Sequence, residues 1–180
     1  MSNLAVVVRI IDSINDLVGR ATAWLALILV LDQFIVVVLR YVFSIGFIYM
    51  QESIWYLYGI MFMVGAGFTL LQDGHVRVDI LYRGAKPKTK ALVDLLGVVF
   101  FLIPVCVLIM WISWSYVINS WKVFEGSIET GGLPLVFLLK TVIWIFVVLI
   151  FLQGISLALR SIMTLAGADA PVTEEQPDGV

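Results

Sequence analysis

The sequence predicts an all-α integral membrane protein of four helices, with both termini cytoplasmic and an N-terminal interfacial amphipathic helix. Three observations predict it. Of 180 residues, 62% are apolar and 13% charged, with mean hydropathy +1.06; soluble domains are about 45–50% apolar and about 25% charged. Four apolar runs each approach or exceed the roughly 20 helical residues that cross a hydrocarbon core of about 30 Å. The basic residues are unevenly divided between alternate loops. Residues 1–165 read as a single transmembrane domain and 166–180 as a disordered acidic tail, rich in acids with Pro and Gly.

The first element is the segment 3–20. Arg9, Asp12, Ser13, Asp16 and Arg20 form one polar stripe, and Leu4, Val7, Val8, Ile11, Ile14 and Val18 cover the rest. Such a segment lies in the membrane interface or simply extends the first span. The early charges also exclude a secretory signal core.

The spans follow at about 21–43, 52–72, 91–118 and 133–160. The first is interrupted only by Asp32 and Gln33 before Arg40. The second runs from Ile54 to Leu71 without a charge, and the third from Leu95 to Ile118 without one. The fourth contains a single Lys140. Continuous runs of this length suit helices, because barrel strands alternate and are about half as long. Pro104 predicts a kink or local loosening of the third span. Gly131 and Gly132 predict a tight turn before the fourth, with Pro134 in its first helical turn.

Orientation follows from the loops. Arg9, Arg20, Arg77, Arg83, Lys86, Lys88, Lys90 and Arg160 fall on one side, against Arg40, Lys122 and Lys140 on the other. The positive-inside rule assigns the richer side, with both termini, to the cytoplasm. Tyr49, Trp55, Tyr56 and Tyr58, and Trp111, Trp114, Tyr116 and Trp121, then collar the outer surface, the headgroup level that such rings prefer.

The inventory excludes several classes. A net charge of -2 offers no basic surface for nucleic acid. One cysteine, Cys106, permits no disulfide within the chain, and one histidine, His75, permits no bis-histidine haem. No P-loop string occurs, and no serine–histidine pair or carboxylate dyad lies in a span. The chain reads as a non-enzyme without its own cofactor or metal.

A few polar residues remain as candidates. Asp32, deep in span one, is costly there and needs a reason. It is an ion or proton site, a contact to a partner subunit, or a hydrogen-bonded acid joining helices of this chain. Lys140 reads as a solvated lysine snorkelling outward. Arg40 and Glu52 bracket the short first outer loop and can pair, while Glu125 and Glu129 stand in the second. In span two, Gly65, Gly67 and Thr69 allow another helix to approach closely, from this chain or a partner. His75-Val76-Arg77-Val78-Asp79 alternates polar and apolar residues and, by chemistry alone, is a solvated loop.

The landmarks together resemble a known family. Arg40-Tyr41-Val42-Phe43 closes span one, Glu52 opens span two, and His75, Arg77 and Asp79 follow it. In a four-span chain this order resembles the DctQ-type small membrane subunit of tripartite ATP-independent periplasmic (TRAP) transporters. The chain departs from that pattern at Tyr49 and Gln51, where the family often has tryptophan and a second acid. The resemblance implies a subunit of a sodium-driven importer of an organic acid in the bacterial inner membrane. It implies two partners, a large polytopic membrane subunit holding the sodium and substrate sites, and a periplasmic substrate-binding protein. Asp32, Arg40, Gly65 and Gly67 would then face the large subunit, and Glu52, Glu125 and Glu129 would help dock the binding protein.

Two other readings fit the spans. One is a self-sufficient four-helix proton-coupled exporter using Asp32; the other is a membrane anchor subunit of a different complex. The polar end of the sequence at Val180 suggests a polypeptide separate from any large subunit.

Overall fold

The computed structural model describes residues 2–74 and 85–167. His75, Arg77, Asp79 and the tail beyond Gly167 lie outside the described residues. Among the described residues four helices make up the architecture: α1 at Ser2–Val42, α2 at Ile48–Leu71, α3 at Pro87–Lys122 and α4 at Val136–Leu165. All four are long and apolar enough to cross a membrane, and no strand occurs among the described residues. The start of α1 and the end of α4 lie on one side, here the terminal side, opposite a far side.

The 3–20 segment is not a separate element. It forms the first turns of an unbroken 41-residue helix, about 60 Å long at 1.5 Å per residue and twice what a bilayer core requires. Extension of the first span, one of the two expectations for this segment, is what the structure contains. Gly19 does not interrupt it, because the glycine serves packing: a Cβ there would lie 2.2 Å from Cγ of Phe68. The polar stripe is also divided. Asp16 pairs with Arg20 on the surface, whereas Asp12 turns onto α4.

Helix ends follow local chemistry. Beyond Val42, Ser44 takes a positive φ of 57° and the Ile45 amide returns to the Leu39 carbonyl at 3.0 Å. Helix α2 closes in a Schellman motif. Asp73 is left-handed at φ 54°, Gly74 N–H reaches Thr69 O at 2.9 Å, and Asp73 N–H reaches Leu70 O at 3.3 Å. Pro87 opens α3, where a missing N–H costs nothing.

Pro104 loosens α3 as expected, and the loosening is a π-helical turn over Val98–Leu102. Ile103 N–H donates to Val98 O, one residue further back than in an α-helix. Pro104 itself stands in the first turn of the resumed α-helix, where its missing N–H costs no α-helical hydrogen bond. Pro134 lies before α4 rather than in its first turn, with Leu135 between them at the cap.

Helix α4 is the hub and packs against the other three. It contributes Val142, Val147, Leu149, Gly154 and Met163 to the buried core. Gly154 receives Leu102 of the π-helical turn, whose Cδ2 would stand 2.6 Å from a Cβ there. Most of the remaining helical surface is uncovered and apolar, including Phe62, Phe101 and Trp111 at 69–80% exposure. A soluble protein does not leave such continuous patches in water, so this surface fits hydrocarbon.

Candidate functional site

The polar residues of the bundle gather at three levels. On the far side, the loop between α3 and α4 is fastened to the start of α2. Glu52 Oε2 accepts the Leu133 N–H at 2.6 Å, and Ser127 Oγ donates to Glu52 Oε1. The loop closes on itself through Ser127 N–H to Leu133 O at 3.0 Å and Glu129 N–H to Ser127 Oγ at 3.1 Å. Gly132 has to be glycine here, because a Cβ would meet Ser127 Oγ at 2.4 Å and Glu52 Oε1 at 2.7 Å.

The same loop is tied to α4. Glu125 pairs with Lys140, and its carbonyl accepts the Phe137 N–H at 3.3 Å. The Lys140 hydrogen bond holds the Glu125 carboxyl below its usual pKa. Lys140 does lean back toward the helix start, but it is not solvated. Its side chain is 13% exposed, with Nζ 4.0 Å over the Tyr116 ring. Reaching an acid and a ring face costs the ammonium less than remaining alone at the membrane boundary. Trp121 Nε1 donates to Thr141 Oγ1 at 2.8 Å, and its ring packs edge-on against Phe137 at 4.8 Å.

Just beneath this loop, one residue along α2 from Glu52, Asp32 of α1 meets Ser53. Ser53 Oγ lies 2.5 Å from Asp32 Oδ2 and 2.7 Å from the Met50 carbonyl. Of the three readings open to Asp32, the structure contains the helix-joining contact. A hydrogen bond of this kind between membrane helices is worth about 0.6–2 kcal/mol.

On the terminal side, α1 and α4 share a buried network. Asn15 is 0% exposed and donates from Nδ2 to Gln153 Oε1 at 3.0 Å. Gln153 Nε2 and Ser156 Oγ both donate to Asp12 Oδ1, at 3.1 and 2.7 Å. Arg160 forms an ion pair with the other carboxylate oxygen of Asp12. Sequence reasoning treated Asp12 as part of an exposed stripe and Arg160 as a loop charge, and it passed over Asn15, Gln153 and Ser156. The signal was present: Gln153, Ser156 and Arg160 are spaced by three and four along one face of an apolar helix.

The remaining expected site residues separate. Gly67 is used inside the chain, since a Cβ would come 2.2 Å from Asn15 Oδ1 and 3.2 Å from Leu149 Cβ. Gly65 faces open space, with nothing within 4 Å of a Cβ. Arg40 is exposed and does not pair with Glu52, whose oxygens are taken by Ser127 and Leu133. Glu129 is exposed at the loop tip beside Ile128, which is 102% exposed. Among the described residues, no three His, Cys, Asp or Glu side chains are grouped to hold a metal.

These contacts describe a bundle fastened at both ends, with apolar flanks. Comparison with curated proteins and with solved structures finds no match. The family described as "Tripartite ATP-independent periplasmic transporters, DctQ component" matches residues 27–166, from the second half of α1 through α4. The chain therefore belongs to the DctQ family and is the small membrane component of a TRAP transporter.

Proposed function

We propose that the chain is the rigid scaffold subunit of a sodium-driven, binding-protein-dependent importer of an organic acid. It sits in the bacterial inner membrane with its terminal side in the cytoplasm, where the positive-inside rule assigns eight of the eleven basic residues. Its partners are a large polytopic subunit, which carries the sodium and substrate sites, and a periplasmic substrate-binding protein.

The observation that carries the scaffold role is the bonding of the interior polar groups to one another. Glu52 holds the outer loop, Asp32 holds Ser53, and Asp12 holds Gln153, Ser156 and Arg160. Each link joins two helices or a helix and a loop, so the four spans support a fixed shape rather than an internal transport path. For docking of the binding protein, Glu129 and Ile128 are the accessible features, since Glu52 and Glu125 already have partners.

The test is reconstitution in sodium-loaded or sodium-free vesicles. Organic acid uptake is expected only with the large subunit, the binding protein and an inward sodium gradient, and Asp32→Asn is expected to retain most of it. Transport by the chain alone, abolished by Asp32→Asn, would instead establish the exporter. Charge reversal by Glu129→Lys is expected to weaken binding-protein-dependent uptake while leaving the bundle folded; unchanged uptake would remove the loop tip from the docking surface.

A further inference from the structure

A groove of about 460 Å³ runs along the terminal-side part of α3. Helix α3 lines it from Val93 to Val105, α2 adds Leu70 and α4 adds Leu157. Asp94 is its one polar lining residue. The π-helical turn shapes the wall, for Leu102 tucks against Gly154 while Phe101 stays 74% exposed. Gly97 also lines the groove, with nothing within 4 Å of a Cβ. No neighbour in this chain demands a glycine there, and glycine weakens a helix interior relative to alanine. Its effect is to keep the groove open.

Depth and size decide what fits. Helix α3 carries no charge from Leu95 to Ile118, so Asp94 marks the terminal-side edge of the hydrocarbon. Val93 and Val105 lie about 18 Å apart along the axis, close to one leaflet of a core about 30 Å thick. A helix 10–12 Å across would take roughly 1,400–2,000 Å³ over that length, far more than the groove holds. Water would find one polar side chain there, whereas a stable buried water needs about two to four partners. An acyl chain is thin enough and matches the apolar walls. The head of the groove is basic: Lys86 is exposed at the cap of α3, and Lys90 follows one turn later on the face of Asp94 and Gly97. Two cations against one carboxylate favour an anionic headgroup at this level.

We propose that this groove holds one anionic phospholipid, with an acyl chain along Gly97 and Phe101 and its phosphate beside Lys86 and Lys90. The lipid fills a gap that the side chains of α2, α3 and α4 leave between them. The site is complete within this chain and does not depend on the transporter-subunit reading.

The test is native mass spectrometry of the full chain, alone and with the large subunit, after equilibration with equimolar phosphatidylglycerol and phosphatidylcholine in detergent. One phosphatidylglycerol is expected to stay bound in preference to phosphatidylcholine. Lys86→Gln lowers its retention about five-fold, the worth of one lysine beside an anionic headgroup, and Lys86→Arg restores it. Gly97→Phe fills the groove and abolishes retention, while thermal unfolding of the lipid-free chain stays near wild type; Gly97→Ala keeps the lipid. Lys122→Gln, which removes a cation at the other end of α3, changes nothing. Equal retention of the two lipids overturns the proposal, as does retention unchanged in both Lys86→Gln and Gly97→Phe. Loss of the lipid whenever the large subunit is bound also overturns it and makes the groove a seat for that partner.

Discussion

Glu52, near the start of α2, accepts the backbone N–H of Leu133 at 2.6 Å, across 81 positions of sequence. A residue expected to look outward thus fastens the last loop to the second helix. Glu52→Ala removes the acceptor for both Leu133 and Ser127 at a half-buried site. A loss of about 1–3 kcal/mol is expected from the stranded donors. Thermal unfolding in detergent measures it, and faster proteolysis within 125–134 identifies the loop as the part released. Unchanged proteolysis would mean that other contacts close the loop.

The Glu125–Lys140 pair sets a pH dependence. Lys140 lowers the pKa of the Glu125 carboxyl from its ordinary 4.5. A group depressed in the folded state contributes stability that is fully present above its unfolded pKa and lost as pH falls through the folded value. The contribution is therefore expected to be constant from neutral pH down to about 4.5 and to fade below it. Glu125→Gln should flatten that acid limb of the stability curve. A limb of the same size in Glu125→Gln assigns the dependence to another carboxylate.

The terminal-side network is expected to be the most sensitive part of the bundle. Asp12 and Arg160 are 15% and 18% exposed, and Asp12 also accepts from Gln153 and Ser156. Asp12→Ala removes the buried ion-pair partner of Arg160 and the shared acceptor of Gln153 and Ser156, with an expected cost of about 3–5 kcal/mol. Replacing both partners, in Asp12→Leu with Arg160→Leu, should cost less, because the two charges of the pair leave the interior together. Unfolding in a denaturing detergent series provides the comparison. A double variant as damaged as the single one would show that packing, not charge, dominates here.

The two glycines of α2 should behave differently. Gly67→Ala places a methyl 2.2 Å from Asn15 Oδ1, and overpacking of that order costs about 1–3 kcal/mol. Gly65→Ala has nothing within 4 Å and should leave the isolated chain unchanged or slightly more stable. Asn15→Ala in the Gly67→Ala background should recover part of the loss. Equal effects at the two positions would contradict the packing described.

Much of the protein was legible before any coordinates. Hydropathy summed along the chain located the four helices, since burial in hydrocarbon depends on each residue separately and adds up. Pro104 announced the disturbance of α3, because a missing N–H acts within a single turn. The motif order from Arg40 through Glu52 carried the family resemblance, which the match over residues 27–166 supports.

The sequence by itself determined the four long apolar helices and the family, properties carried by local composition or by spacing along the chain. Only the tertiary structure decided what each polar side chain meets. Glu52 faces Leu133 rather than Arg40, Lys140 faces Glu125 rather than water, and Asp12 faces Gln153 of a helix 141 positions away. Those partners depend on how each helix is rotated and crossed in the bundle. A few degrees of rotation move a side chain between lipid, a neighbouring helix and a partner subunit without changing the hydropathy of the span.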